Sequence, residues 1–276
     1  MTTSPVSPQA AAAELLLRRK ARESLLAYLQ AVQIFPPPAA HHEIVARELE
    51  DLEAGRTQNL MLLMPPGSAK SSYVSWLFPA WAFGRNPELQ VIAASHTADL
   101  AERFGRRVRN LIESPDHHRV FPRCQLASDS KAAGDWATTE GGEYKAAGIG
   151  GPITGRRADI GIIDDPVKSR EEADSERMQA RAWDWYVNDW LTRLKPRARQ
   201  ILVMTRWHER DLGGRILEMY GDDWKVVKMP MLASGGPDPL NRRAGEPLWP
   251  AWFTGDMIDR AKTDPRSWNA LYQQEP

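Results

Sequence analysis

The stretch MLLMPPGSAKSS at 61–72 sets the tightest limit on what this chain can fold into. An apolar strand, Leu60 to Met64, runs into a loop of small residues ending in Lys70-Ser71, and helix-forming sequence follows. Such a loop turns successive backbone N–H groups toward an anion, sets a lysine ammonium beside it and leaves a hydroxyl for Mg²⁺. Pro66, Gly67, Ser68, Ala69, Lys70, Ser71 and Ser72 are therefore the candidate nucleotide-binding residues. The match to G-x-x-x-x-G-K-[ST] is incomplete, because Met64 and Ala69 stand at the two glycine positions and Gly67 lies between them. Alone, the stretch equally describes an ordinary strand–turn–helix with one surface lysine.

The 276 residues suffice for one large α/β domain, or one with an appendage. No apolar run approaches the roughly 20 residues that cross a bilayer. The start MTTSPVSPQAAAA lacks the charged and apolar regions of a secretory signal. A single cysteine, Cys124, excludes an internal disulfide and a multi-cysteine metal site, which points to a reducing, intracellular setting. Thirty-six basic residues balance thirty-six acidic ones, which argues against tight global wrapping of DNA and leaves room for a local basic track. Among the eleven tryptophans, Trp183, Trp185 and Trp190 share one helical segment and read as packing.

Residues 1–9 read as disordered, Ala10 to Gln33 as a helix, FPPPAA at 35–40 as a stiff connector and His42 to Ala54 as a second helix stopped by Gly55. Strands are expected at Asn59–Met64, Gln90–Ser95, Ala158–Ile163, Gln200–Thr205 and Trp224–Met229, with short ones near Trp136–Thr139 and Glu143–Ala147. Helices fall at Ser71–Phe83, Ala98–Glu113, Glu171–Leu194 and Leu212–Tyr220, with two short ones at Gly255–Ala261 and Pro265–Tyr272. Strands alternating with helices predict a mainly parallel central sheet covered on both faces. The expected division is a helical extension at 1–34, a core at 35–232 and a Pro/Gly-rich linker subdomain at 233–276.

Two further segments carry chemistry. In ADIGIIDDP, 158–166, a buried strand ends in Asp164 and Asp165. Strand C-termini face the ligand crevice of such sheets, so Asp164 is placed to hold Mg²⁺ and Asp165 to polarise an attacking water. In ILVMTRWHERDLGGR, 201–215, another strand ends in Thr205, which can sense a γ-phosphate from beside the loop. The distance between Lys70 and Asp164 leaves room for at least one more strand and helix, as in NTPases that place an extra strand between these two motif strands.

Taken jointly, MPPGSAKSS, TGRRADIGIIDDP with KSREEADSE, MTRWHERDLGGR and the ending WNALYQQEP resemble the large terminase subunit of tailed bacteriophages, from about Phe35 onward. That resemblance implies a P-loop NTPase fold of the ASCE/RecA-like type and an ATP hydrolase using ATP and Mg²⁺. It implies a motor that drives double-stranded DNA into a procapsid. Portal, small terminase subunit and further copies in a ring are the implied partners, with the isolated chain expected as a monomer. The host cytoplasm is the implied setting, with no membrane. The family's nuclease domain is expected only in a full-length protein. Carried over residue by residue, Lys70 and Ser71 match the phosphate-loop lysine and Mg²⁺-side hydroxyl. Asp164 matches the Mg²⁺-side aspartate, and Thr205 falls in the motif that couples hydrolysis to movement.

Two departures stand out. The loop lacks the arginine that many terminases carry near the position of Gly67, so the transition-state charge needs another donor. Arg156, ahead of Arg157, is the candidate, reaching a neighbour's nucleotide across a ring, unless both pair with local carboxylates. Asp165 stands where the family has a glutamate, and Glu171 or Glu172 are alternatives for the water. Arg103, Arg106, Arg107 and Arg109, or Arg193, Lys195, Arg197 and Arg199, are candidate DNA tracks, and FPPPAAHH a candidate flank for the base. A helicase-like remodelling ATPase and a non-catalytic DNA-binding module with a degenerate loop are the competing readings.

Overall fold

A computed structural model describes residues 7–33 and 37–276. Strands β1 (Asn59–Leu63), β2 (Gln90–Ser95), β3 (Leu126–Lys131), β4 (Asp135–Thr138), β5 (Glu143–Gly148), β6 (Ala158–Asp164), β7 (Leu194–Met204) and β8 (Lys225–Lys228) form one sheet. Their order is β3-β4-β5-β2-β6-β7-β1-β8. The six strands from β5 to β8 run parallel, and β3 and β4 add an antiparallel edge. Strand β7 thus lies between β1 and β6, with Leu63 opposite Met204 and Val203 opposite Asp164.

The period-two direction of strand side chains explains why β1 is apolar throughout. Leu60, Leu62 and Met64 join one core cluster, and Met61 and Leu63 join another on the opposite face. The first cluster includes Ala21, Leu25 and Tyr28 from the N-terminal helices, all fully buried. The second is built around Trp185, Trp190, Leu202 and Ile216. Trp185 and Trp190 are packing residues, as their helical placement suggested, and a Cβ on Gly161 would lie 2.5 Å from the Trp190 ring.

Several boundaries differ from expectation for identifiable reasons. Residues 1–6 and 34–36, part of the expected disordered start and connector, lie outside the described residues. Residues 7–9 are ordered: Ser7 caps a helix Pro8–Glu23, and the chain breaks at Ser24, which caps a second helix Leu25–Val32. The long helix expected over 171–194 is interrupted at Ser175, which adopts an extended conformation and caps Glu176–Trp185. A π-helical turn, Tyr186–Trp190, follows, and β7 starts at Leu194, six residues early. Strand β3 was not anticipated, because LASDSK is polar and sits at the sheet edge, where only one neighbour pairs with it.

The segment after β8 folds back along the C-terminal ends of the strands. Met231 N–H donates to Tyr272 O at 2.7 Å, Leu248 N–H to Met231 O at 2.8 Å, and Arg206 N–H to Gln274 Oε1 at 3.0 Å. The short helix Gly255–Ala261 and the turns at Pro265–Tyr272 belong to this return. Among the described residues, no helix is long and apolar enough to cross a membrane.

Candidate functional site

The loop between β1 and the π-helical turn Ser72–Leu77 holds the backbone that the sequence left uncertain. Gly67 has φ +79°, and Ala69 has φ +60°. Ala69 thus takes up the left-handed conformation for which the motif ordinarily keeps a glycine, a strain of about 1 kcal/mol or more for a residue with a Cβ. Buried Ser68 fixes the turn by donating its hydroxyl to Pro65 O at 2.8 Å.

Two neighbouring histidines support this loop from beneath. His42 Nδ1 accepts from Ala39 N–H at 3.0 Å, so its Nε2 carries the proton and donates to Ser68 O at 3.1 Å. His41 Nε2 faces the same carbonyl at 3.2 Å. Burial keeps both rings neutral, with pKa values lowered to about 3 for His41, where His42 adds to the effect, and to about 4 for His42. Holding the Ser68 carbonyl inward keeps it off the loop face that an anion would occupy. FPPPAAHH therefore contributes imidazoles under the loop, a role its sequence did not disclose.

At the level of the strand ends, five expected residues converge. Lys70, 6 % exposed, places Nζ 2.9 Å from Thr205 Oγ1 and 3.2 Å from Asp165 Oδ2. Asp165 Oδ1 accepts from Thr205 N–H at 2.8 Å, and Thr205 Oγ1 donates to Met64 O at 3.2 Å. Asp164 accepts from Ser71 Oγ at 2.8 Å and from Ser75 Oγ at 2.6 Å. The carboxyl of Asp164 is pushed up to about 7, first by burial and then by the adjacent Asp165 charge, against the pull of Ser75, Lys70 and Ser71. Asp165 leaves the strand with φ +41°, which turns its carboxylate from the β6 direction toward Lys70 and Thr205.

Sequence reasoning missed Ser75 and His96. Ser75 lies four residues after Ser71, and this spacing on a helical face was the signal available. His96, just past β2, sets Nδ1 3.1 Å from Asp165 O, a contact that depends on β2 pairing with β6.

Arg156 is not brought to this group. It precedes β6, whereas Asp164 ends it, and its guanidinium pairs with Glu143 at 2.5 Å and Asp135 at 3.1 Å. Arg157 donates to Thr192 O at 3.0 Å. Local pairing explains both arginines within one chain. Glu172 accepts from Lys168 N–H at 2.7 Å as part of a helix start, while Glu171 is exposed.

The donors around Asp164 suit a hard divalent cation. The Ser71 hydroxyl and a carboxylate oxygen lie side by side, an all-oxygen set of the kind that holds Mg²⁺ through one or two protein ligands. The remainder of the site offers a buried ammonium, a second carboxylate and a hydroxyl within hydrogen-bond reach of one another. Such a set can neutralise, anchor and polarise.

An eight-stranded mixed α/β sheet with this polar cluster at the ends of β1, β6 and β7 defines a class of strand-end anion sites. The chain belongs to the terminase large subunit family, T4likevirus-type N-terminal part, whose family model matches residues 61–267. It is 27 % identical over 128 residues to the large subunit of the terminase of Enterobacteria phage T3, which covers 45 % of this chain and 22 % of that protein. The crystal structure of the HK97 bacteriophage large terminase is similar in fold, with a TM-score of 0.54 and 17 % identity. That likeness covers 91 % of this chain and 54 % of the HK97 chain. The chain thus spans about a fifth and about half of these two relatives.

Proposed function

We propose that this chain is the ATPase motor part of a terminase, hydrolysing ATP to move double-stranded DNA into a procapsid. The convergence of Lys70, Ser71, Asp164, Asp165 and Thr205 at the ends of three strands carries this reading. It is a P-loop arrangement of the ASCE type, since β7 lies between the lysine-bearing and acid-bearing strands. Residues 35–232 act as the motor core and 233–276 as the linker.

The loop N–H groups from Pro66 to Ser72, Pro66 itself lacking one, cradle the triphosphate, with Lys70 against its outer phosphates. Ser71 and Asp164 would hold Mg²⁺, which would supply charge neutralisation to the triphosphate. Asp165 is the base for the attacking water. A triphosphate that draws Lys70 Nζ to itself frees Asp165 Oδ2, while Thr205 N–H keeps Oδ1 in place. Thr205 touches Lys70, Asp165 and the β1 end at once, so a change at the γ-phosphate is felt at β7.

Arg103, Arg106 and Arg107 lie exposed on the helix Ala98–Ile112, which starts just beyond His96. We assign DNA phosphate contact to this face, where releasable contacts without base readout suit a stepping motor. Portal, small subunit and a ring of copies complete the assembly in this reading.

Steady-state hydrolysis of Mg²⁺–ATP tests it. Lys70→Ala should lower turnover by about 10²-fold or more, the usual scale for losing a group that stabilises transition-state charge. Unchanged turnover in that variant sinks the assignment.

A further inference from the structure

Asp165 keeps its carboxylate toward Lys70 and Thr205 only through an unfavourable backbone. Its φ of +41° lies in the left-handed region, which residues with a Cβ avoid. Pro166 follows it, and a proline steers the residue before it toward extended conformations. Extended backbone would continue the alternation of β6 and send the carboxylate to the face opposite Asp164. A strained residue of this kind persists only where its surroundings fix it from several sides.

Those surroundings come from both neighbours of β6. On the β7 side, Asp165 N–H donates to Val203 O at 2.9 Å, and Thr205 N–H donates to Asp165 Oδ1 at 2.8 Å. On the β2 side stands His96, with Nδ1 3.1 Å from Asp165 O. A carbonyl oxygen only accepts, so the imidazole carries a proton on Nδ1 and donates it. Lys70 Nζ adds a contact to Oδ2 at 3.2 Å, the one a bound triphosphate would withdraw.

The sheet stations His96 for this task. It follows Ser95, which pairs with Asp164 across β2 and β6 and whose carbonyl accepts Ile149 N–H at 2.8 Å. Thr97, next in the chain, caps the helix Ala98–Ile112. The half-buried ring borders a cavity of about 40 Å³ lined also by Pro166, Val167 and Glu172. On that side it is not wedged by packing, so its hold on Asp165 is the hydrogen bond. We propose that His96 is a positioning residue for the catalytic base, clamping the Asp165 carbonyl so that the carboxylate stays turned toward the outer phosphate. This rests on Asp165 acting as the base in the reading above. His96 works through Asp165 and moves no proton of the reaction itself.

Turnover, affinity for a non-hydrolysable ATP analogue with Mg²⁺, and the imidazole tautomer test this separately. His96→Ala should lower kcat about tenfold to a hundredfold, the scale for losing an outer partner of a reacting group, and leave analogue affinity unchanged. His96→Asn should restore most of the turnover, because its amide nitrogen is bonded to Cγ as Nδ1 is. His96→Gln carries its nitrogen one bond further out and should not. Nitrogen NMR of the neutral wild-type ring should find the proton on Nδ1. Unchanged kcat in His96→Ala overturns the proposal, and so does a proton on Nε2. Parallel loss of kcat and analogue affinity also overturns it, because the ring would then only brace the site. Should His96→Ala fail to fold, His96→Gln and the tautomer decide in its place. A wild-type chain that binds the analogue and does not hydrolyse ATP is a different failure, since it removes the base role of Asp165 itself.

Discussion

The two ends of β6 carry similar side chains in opposite circumstances. At its start, Arg156, Lys145, Asp135 and Glu143 form a network of ion pairs, each side chain about a third to two-fifths exposed. At its end, Lys70, Asp164, Asp165, Ser71, Ser75 and Thr205 share a cluster in which Asp164 is 2 % and Lys70 6 % exposed. Water screens the first network, so its members are interchangeable at small cost. In the second, each polar group depends on its partners, since burial makes an unpaired charge expensive. The same strand thus separates charge used as surface from charge held for chemistry.

The largest contrast should come from Asp164→Asn. Turnover should fall at least about 10²-fold, because the amide no longer offers Mg²⁺ a charged oxygen. Stability should move the other way. A carboxyl whose folded pKa is raised binds its proton more tightly folded than unfolded, so between about 4 and 7 its contribution to stability falls as pH rises. Asparagine removes that penalty, and melting of the variant at pH 8 should be no lower than wild type. A variant that loses stability and activity in parallel would erase the contrast between the two ends.

The next effect concerns the support beneath the loop. His41 and His42, with His117 lowered to about 3 by burial and by nearby His118, are neutral in the fold and protonated in the unfolded chain below about pH 6.5. The unfolded state then binds more protons, so stability is lost as pH falls from about 6.5 toward 3 or 4. Each fully titrating group contributes about 1.4 kcal/mol per pH unit in that window. Asp164 slopes in the opposite sense, so wild type should show a shallow acid limb. Asp164→Asn should expose the steeper histidine limb, and denaturant midpoints from pH 4 to 7 check it. A flat profile in that variant would contradict neutral, buried imidazoles.

A smaller effect is expected at Ala69. Its φ of +60° is the conformation glycine takes without cost, so Ala69→Gly should raise stability by about 1 kcal/mol in urea unfolding. A loss of stability would show that the Ala69 methyl packs usefully enough to outweigh the strain.

These residues also show what one dimension reveals. That Lys70, Ser71, Asp164 and Thr205 converge was legible because each ends or follows a buried strand, and a parallel sheet brings such ends to one side. Strands β2 and β6 and the helix Leu212–Tyr220 were legible because their apolar runs are short and bounded by turn residues. The helix over 171–194 was misjudged because the polar run EEADSER is compatible with a helix residue by residue, whereas Ser175 turns extended and caps the helix Glu176–Trp185. The role of His42 depends on Ser68, 26 residues away, and the packing of Trp252 on Gly67 joins positions 185 residues apart. Contacts at that separation leave no local pattern. Arg156 shows the converse: it is adjacent to the acidic strand in sequence, yet within one chain the length of β6 separates it from Asp164.

Arg156 gives the finest distinction between the two ends. Its pairs are about a third to two-fifths exposed, so Arg156→Gln should cost at most about 1 kcal/mol, and salt should reduce the difference. Turnover of the dilute chain should stay within about twofold, because one chain does not bring this guanidinium to Lys70. A trans role makes a different forecast. If neighbouring copies insert Arg156 at each other's triphosphates, turnover per chain should rise with protein concentration in wild type and stay flat in Arg156→Gln. An arginine supplied across an interface is worth about 10³-fold or more where it operates. Hydrolysis measured over a concentration series, with Arg157→Gln beside it, decides the matter. Equal rises in wild type and Arg156→Gln would leave the guanidinium at the start of β6 as surface charge alone.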